Sequence, residues 1–111
     1  MINHEVREGV LVARVEEKRV DAARAPDFKT ELTRLIEDGH QQVVLDLSKV
    51  EFVDSSGLGA IVATLKRIGP RGSLAVAGAT GAVERLFKLT RMDKVFPLHE
   101  DVDAAVRRMA G

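Results

Sequence analysis

Cysteine is absent from the 111 residues, which excludes a disulfide framework and thiolate zinc sites and makes a reducing compartment, the cytoplasm, the expected setting. Also lacking is any apolar run near the roughly 20 residues needed to cross a bilayer. His4, Glu5, Arg7 and Glu8 interrupt the stretch where a secretory leader would be hydrophobic. The chain is therefore expected neither to span a membrane nor to be secreted. Net charge is missing too, because seventeen basic and seventeen acidic side chains cancel. That removes the electrostatic footprint of a protein that tracks nucleic acid or an anionic membrane and points to a protein partner. No internal repeat, low-complexity tract or long block of like charge interrupts the chain.

What is present suits one compact core. With 45% hydrophobic and 31% charged residues, 1–111 reads as one domain, too short for two of ordinary size. Ile2 to Val6 and Val10 to Val15 alternate partially around Glu8-Gly9, which predicts an opening β-hairpin. Ala25-Pro26 opens a helix carrying Phe28, Leu32, Leu35 and Ile36, and Gly39 ends it. Val43 to Leu47 is a short apolar run of the kind found in internal strands. Helical spacing resumes from Ser56 to about Ile68, with Leu58, Ile61, Val62, Leu65 and Ile68 on one stripe and Gly69-Pro70 closing it. Ser73 to Ala77 and Val95 to Leu98 are further strand candidates. Thr80 can cap a helix with Val83, Leu86, Phe87 and Leu89, and Asp101 one that runs through Met109. Strand and helix alternate from residue 40 onward. The expectation is an α/β fold: a mixed central sheet of four to five strands, an N-terminal hairpin and about four helices, with parallel pairing through right-handed crossovers.

The run Asp54-Ser55-Ser56-Gly57-Leu58-Gly59 joins a strand to a helix. Unpaired amides and the helix dipole make such a start tolerant of an anion at Ser55 or Ser56. Simple N-capping by one of these two serines is the plain alternative, since serine and aspartate are both common caps. Gly57 and Gly59 cost helix stability and permit close approach by another chain. Helical projection puts Gly59, Ala60 and Ala63 off the apolar stripe, on a smooth strip that suits either docking or internal helix packing.

Catalytic patterns fail. A nucleophile elbow needs glycine two residues before and after its serine, which neither Ser55 nor Ser56 has. Val62 stands where a dinucleotide loop needs its third glycine, and no P-loop lysine is present. His4, His40 and His99 are scattered, so neither a metal site nor a cofactor is expected. Asp46 and Asp54 flank a predicted surface loop, which Asp46 would organise, and nothing in the sequence prepares them for acid-base work. An enzyme is not expected.

Val43-Val44-Leu45-Asp46-Leu47-Ser48 followed by Val50-Glu51-Phe52-Val53-Asp54-Ser55-Ser56-Gly57-Leu58-Gly59 closely resembles the signature of STAS domains of the bacterial anti-sigma factor antagonist type. The stretch from Val83 to Phe96 is similar to that family's third helix and the approach to its last strand. The resemblance implies a single STAS-like domain acting as a phosphorylation-controlled partner switch. Its unphosphorylated form would bind a serine kinase-type anti-sigma factor, phosphorylation would release it, and a metal-dependent serine phosphatase would reverse the change. The match assigns phosphorylation to Ser55 rather than Ser56. Partner contact would involve Asp21, Asp54, Ser56, Gly57, Gly59, Ala60 and Ala63, with no direct role for nucleic acid or membrane. Asp21 matches a family aspartate near the partner surface, and capping of the first helix is its other reading. Lys18 departs from the family's frequent glycine, which implies a rebuilt turn. The rival reading is a non-switching STAS scaffold or accessory subunit of a stress-signalling or lipid-transport complex; the chain's length and lack of a membrane segment argue against a transporter.

Overall fold

A computed structural model describes residues 1–110. Strands β1 (Ile2–Arg7) and β2 (Val10–Val15) pair antiparallel as the opening hairpin. Glu8 and Gly9 both have positive φ, 53° and 79°, as a two-residue type I′ turn requires. β3 (Arg19–Val20) leads into α1 (Ala25–Glu37), which has Pro26 in its first turn and buries Phe28, Leu32 and Ile36 at a spacing of four. β4 (Gln42–Asp46), β5 (Phe52–Val53), α2 (Ser55–Ile68), β6 (Ser73–Ala77), α3 (Gly81–Leu89), β7 (Leu98–His99) and α4 (Val102–Ala110) follow.

The main sheet has the order β1-β2-β4-β6-β7, with β2, β4, β6 and β7 mutually parallel. It is the expected mixed sheet, with four helices packed on it. Each new parallel strand is added on the same side, so successive crossovers place α1, α2 and α3 on one face. Leu11, Ala13, Val15, Val43 and Leu45 point to that face and join Phe28, Leu32, Ile61, Val83 and Phe87 in the larger core. Val10, Val12, Val44 and Ala77 alternate to the other face, where Ala105 and Val106 of α4 cover them. Asp101 starts α4, accepting from the Ala104 amide at 2.8 Å.

The expected last strand is shorter than its apolar run. Met92–Lys94 form a 3₁₀ turn, and the amides of Val95 and Phe96 bond back to the Met92 carbonyl at 3.0 and 2.8 Å, which withholds them from the sheet. Phe96 turns inward instead and meets Phe87 edge to face, with ring centroids 6.1 Å apart. Only Leu98 and His99 join the ladder. Unforeseen in the sequence, β3 and β5 form a separate two-residue parallel pair. Arg19 stacks over the Phe52 ring there, 4.4 Å from its centroid.

Candidate functional site

β5 runs directly into α2, and the junction is organised by Asp54. Its backbone is extended (φ −101°, ψ −174°) and its Oδ1 accepts from the Gly57 amide at 3.0 Å, so Asp54, not a serine, is the N-cap. Its Oδ2 accepts from the Ala22 amide at 3.0 Å. One carboxylate thus ties the α2 start to the turn that enters α1. Ser55 and Ser56 occupy the first two helical positions and are exposed, and among the described residues their backbone amides meet no protein acceptor. These are orphan donors of a 14-residue helix, at its positive end.

Asp21 sits across the same junction. Its Oδ1 accepts from the Arg24 amide at 3.3 Å, and its Oδ2 from Arg19 Nε at 3.4 Å. Partial burial pushes its carboxyl up, but the Arg19 hydrogen bond, the Arg24 amide and the charges of both arginines outweigh that and hold it below its ordinary value. The N-cap of α1 is Arg24, which makes no side-chain capping bond, so Asp21 closes the preceding turn rather than capping the helix. Lys18 fits without strain. Its carbonyl accepts from the Glu51 and Phe52 amides at 2.7 and 3.2 Å, and the described non-glycine residues with positive φ are Glu8 and Arg91 alone.

The small-residue strip divides into an inner and an outer part. A Cβ on Gly57 would lie 2.2 Å from the Val20 carbonyl oxygen, so the close approach it permits is to the chain's own backbone, not to another chain. Ala60 is 6% exposed and belongs to the main core between α1 and α2, because the α2 stripe is wider than the sequence projection allowed. Gly59 is exposed, with nothing within 4 Å of an added Cβ, and Ala63 is half-buried. A shallow groove runs between Ala22, Pro26 and Lys29 on the α1 side and Ser56, Gly59 and Ala60 on α2. Ser55 lies outside it.

Asp46 flanks the exposed loop after β4 as expected, but it is itself buried, 4% exposed. It accepts from Arg14 Nε and the Ser48 amide, both at 2.9 Å, and so organises the turn after β4. The junction also depends on residues that the sequence did not mark: the Ala22 amide, and Arg19 on Phe52. A backbone amide carries no sequence signal, and two-residue strands are too short to show alternation. Among the described residues no helix is long and apolar enough to cross a membrane.

A layered α/β domain whose distinguishing feature is an open helix start rather than a deep cleft is the class that fold and site define. The STAS domain model matches residues 1–105, and the chain belongs to that family. It is 28% identical over 85 residues to the anti-sigma-B factor antagonist of Staphylococcus aureus, covering 76% of this chain and 79% of that one. The crystal structure of an anti-sigma factor antagonist from Mycobacterium paratuberculosis matches with a TM-score of 0.92 and 31% identity, over 100% of this chain and 94% of that one. The Bacillus cell fate determinant SpoIIAA in its phosphorylated form shares the fold, with a TM-score of 0.73 at 15% identity, over 98% and 99% of the two chains.

Proposed function

We propose that this protein is an anti-sigma factor antagonist that works as a phosphorylation-controlled partner switch. Unphosphorylated, it binds a serine kinase-type anti-sigma factor; phosphorylation of Ser55 releases it, and a metal-dependent serine phosphatase resets it. The observation that carries this reading is the placement of Ser55: exposed, first in α2, beside unpaired amides and free of any structural hydrogen bond of its own side chain. Ser56 is exposed too but lines the groove between α1 and α2, which Ser55 does not. The names of the relatives supply the partner class.

A phosphate adds about −1.5 to −2 charges at a helix start that stabilises anions, so the fold survives modification. The effect falls on the interface, where a partner fitted to a hydroxyl, Gly59 and the edge of Ala63 meets bulk and charge beside Asp54. A loss of about 3 kcal/mol weakens binding roughly a hundredfold. Titration calorimetry against the kinase-type anti-sigma factor of the same genome tests this. The wild type and Ser55→Ala should bind alike, Ser55→Asp should bind about a hundredfold more weakly, and only the wild type should gain a phosphate with ATP. Equal affinities would leave a STAS scaffold or accessory subunit as the reading.

A further inference from the structure

The corner where α3 meets its following 3₁₀ turn carries a charge pattern that the proposed switch does not use. Arg85, Lys88, Arg91 and Lys94 follow one another at intervals of three, all exposed, in a chain of zero net charge. Glu84 pairs with Lys88 at 3.4 Å, whereas no carboxylate among the described residues reaches Arg85, Arg91 or Lys94. Two apolar side chains stand among these cations: Leu89, 76% exposed, and Val95, 46% exposed. Leu89 is the most exposed of the large hydrophobic residues.

The corner's backbone is held in a costly form. Phe87 and Phe96, both fully buried, pin its two ends against each other. Arg91 has φ 62° and ψ 18°, in the left-handed region just past the helix end where glycine is the usual occupant. Any residue with a Cβ is disfavoured there, and among the described residues this one forms no ion pair that would offset the strain. A cation is thus kept at a position where local stability favours glycine.

We propose that this corner, Arg85 to Val95, is a docking surface for an acidic amphipathic segment of a partner protein. Charge complementarity selects the acid, and Leu89 and Val95 select apolar side chains beside it, which a phosphate backbone does not offer. Extended anionic surfaces are disfavoured by the rest of the molecule. Taking the four basic and two acidic residues of 84–95 from the seventeen of each sign leaves 13 basic against 15 acidic elsewhere. A membrane or a nucleic acid would face that excess, while a short acidic segment meets only the corner. α3 itself packs against β5, the strand that leads into Asp54. The surface does not depend on phosphorylation of Ser55.

The test uses the full chain and a fluorescent synthetic helix of glutamate and leucine at amphipathic spacing, with a leucine-to-serine version as control. Binding should fall in the ~10–100 µM range of a small charged contact and weaken about tenfold between low and physiological salt. The triple variant Arg85→Glu, Arg91→Glu, Lys94→Glu and the single variant Leu89→Ser should each lose it, whereas Ser55→Asp should bind as the wild type does. Arg91→Gly should raise the melting temperature while weakening the peptide, a divergence that a merely structural arginine would not give. Unchanged binding by the triple variant, equal binding of the serine control, or tighter binding to phosphatidylglycerol vesicles or single-stranded RNA would each overturn the proposal.

Discussion

Two glycines separated by a single residue do opposite things in this chain. Gly57 faces inward, where an added Cβ would meet the Val20 carbonyl at 2.2 Å and the side chains of Val20 and Val53 at 3.0 Å, whereas Gly59 faces open space. The backbone oxygen cannot swing aside as a flexible side chain would, so Gly57→Ala has to shift β3 or α2. It should cost about 1–3 kcal/mol, the range for overpacking. Gly59→Ala should instead stabilise by up to about 1 kcal/mol through helix propensity, and weaken partner binding if the proposed surface is right. Urea denaturation of the two variants separates them, and equal costs would mean that both positions pack internally. The sequence marked both glycines as unusual for a helix but could not divide them. The atom that decides Gly57 belongs to a strand 37 positions earlier, and local periodicity carries no information about it. The sequence offered one of the two serines as the cap; that Asp54 takes this place and also bonds the Ala22 amide was not legible.

At the scale of the element, α2 is as much a structural strut as a carrier of serines. Asp54→Ala removes the bond to the Gly57 amide and the tie to Ala22, and should cost about 2 kcal/mol, the upper end for a cap. Asparagine has one acceptor oxygen instead of two, so Asp54→Asn should retain one of these bonds and lose about half as much. Ser55→Ala should move stability by less than about 0.5 kcal/mol, because no structural bond depends on that hydroxyl. Equilibrium unfolding of the three variants checks the order. A large loss for Ser55→Ala would mean that its effect on binding cannot be assigned to the interface. The helices were legible because Phe28, Leu32 and Ile36, or Leu58, Ile61, Leu65 and Ile68, repeat at helical spacing over several turns. Val95 to Leu98 misled for the converse reason. Four residues are too few to distinguish a 3₁₀ turn followed by one buried phenylalanine from a strand, and the deciding bonds to the Met92 carbonyl are invisible in composition.

Across the whole molecule, ionic ties join elements that the sheet alone does not hold together. Arg7 of β1 reaches Asp103 of α4 at 2.6 Å, Lys49 reaches Glu16 at 2.6 Å, and Arg19 and Arg24 converge on Asp21. The hydrogen bond from Arg7 holds the Asp103 carboxyl below its ordinary value, the bond from Lys49 does the same for Glu16, and Asp21 is lowered despite partial burial. A carboxylate whose folded pKa is depressed contributes stability that is fully present above its unfolded value and is lost as pH falls through the folded one. These groups titrate near pH 4 when unfolded, so the unfolding midpoint in urea should be level from about pH 6 to 8 and fall below about pH 4. All three sites are at least partly reached by solvent, which keeps each contribution small and sensitive to salt. Replacing Asp103 with asparagine and Glu16 with glutamine should therefore flatten part of the acid limb and leave the neutral plateau nearly unchanged, and about 0.5 M salt should do the same to the wild type. A midpoint that already declines between pH 7 and 5 would mean that the carboxylate ties do not govern how α4 stays on the sheet.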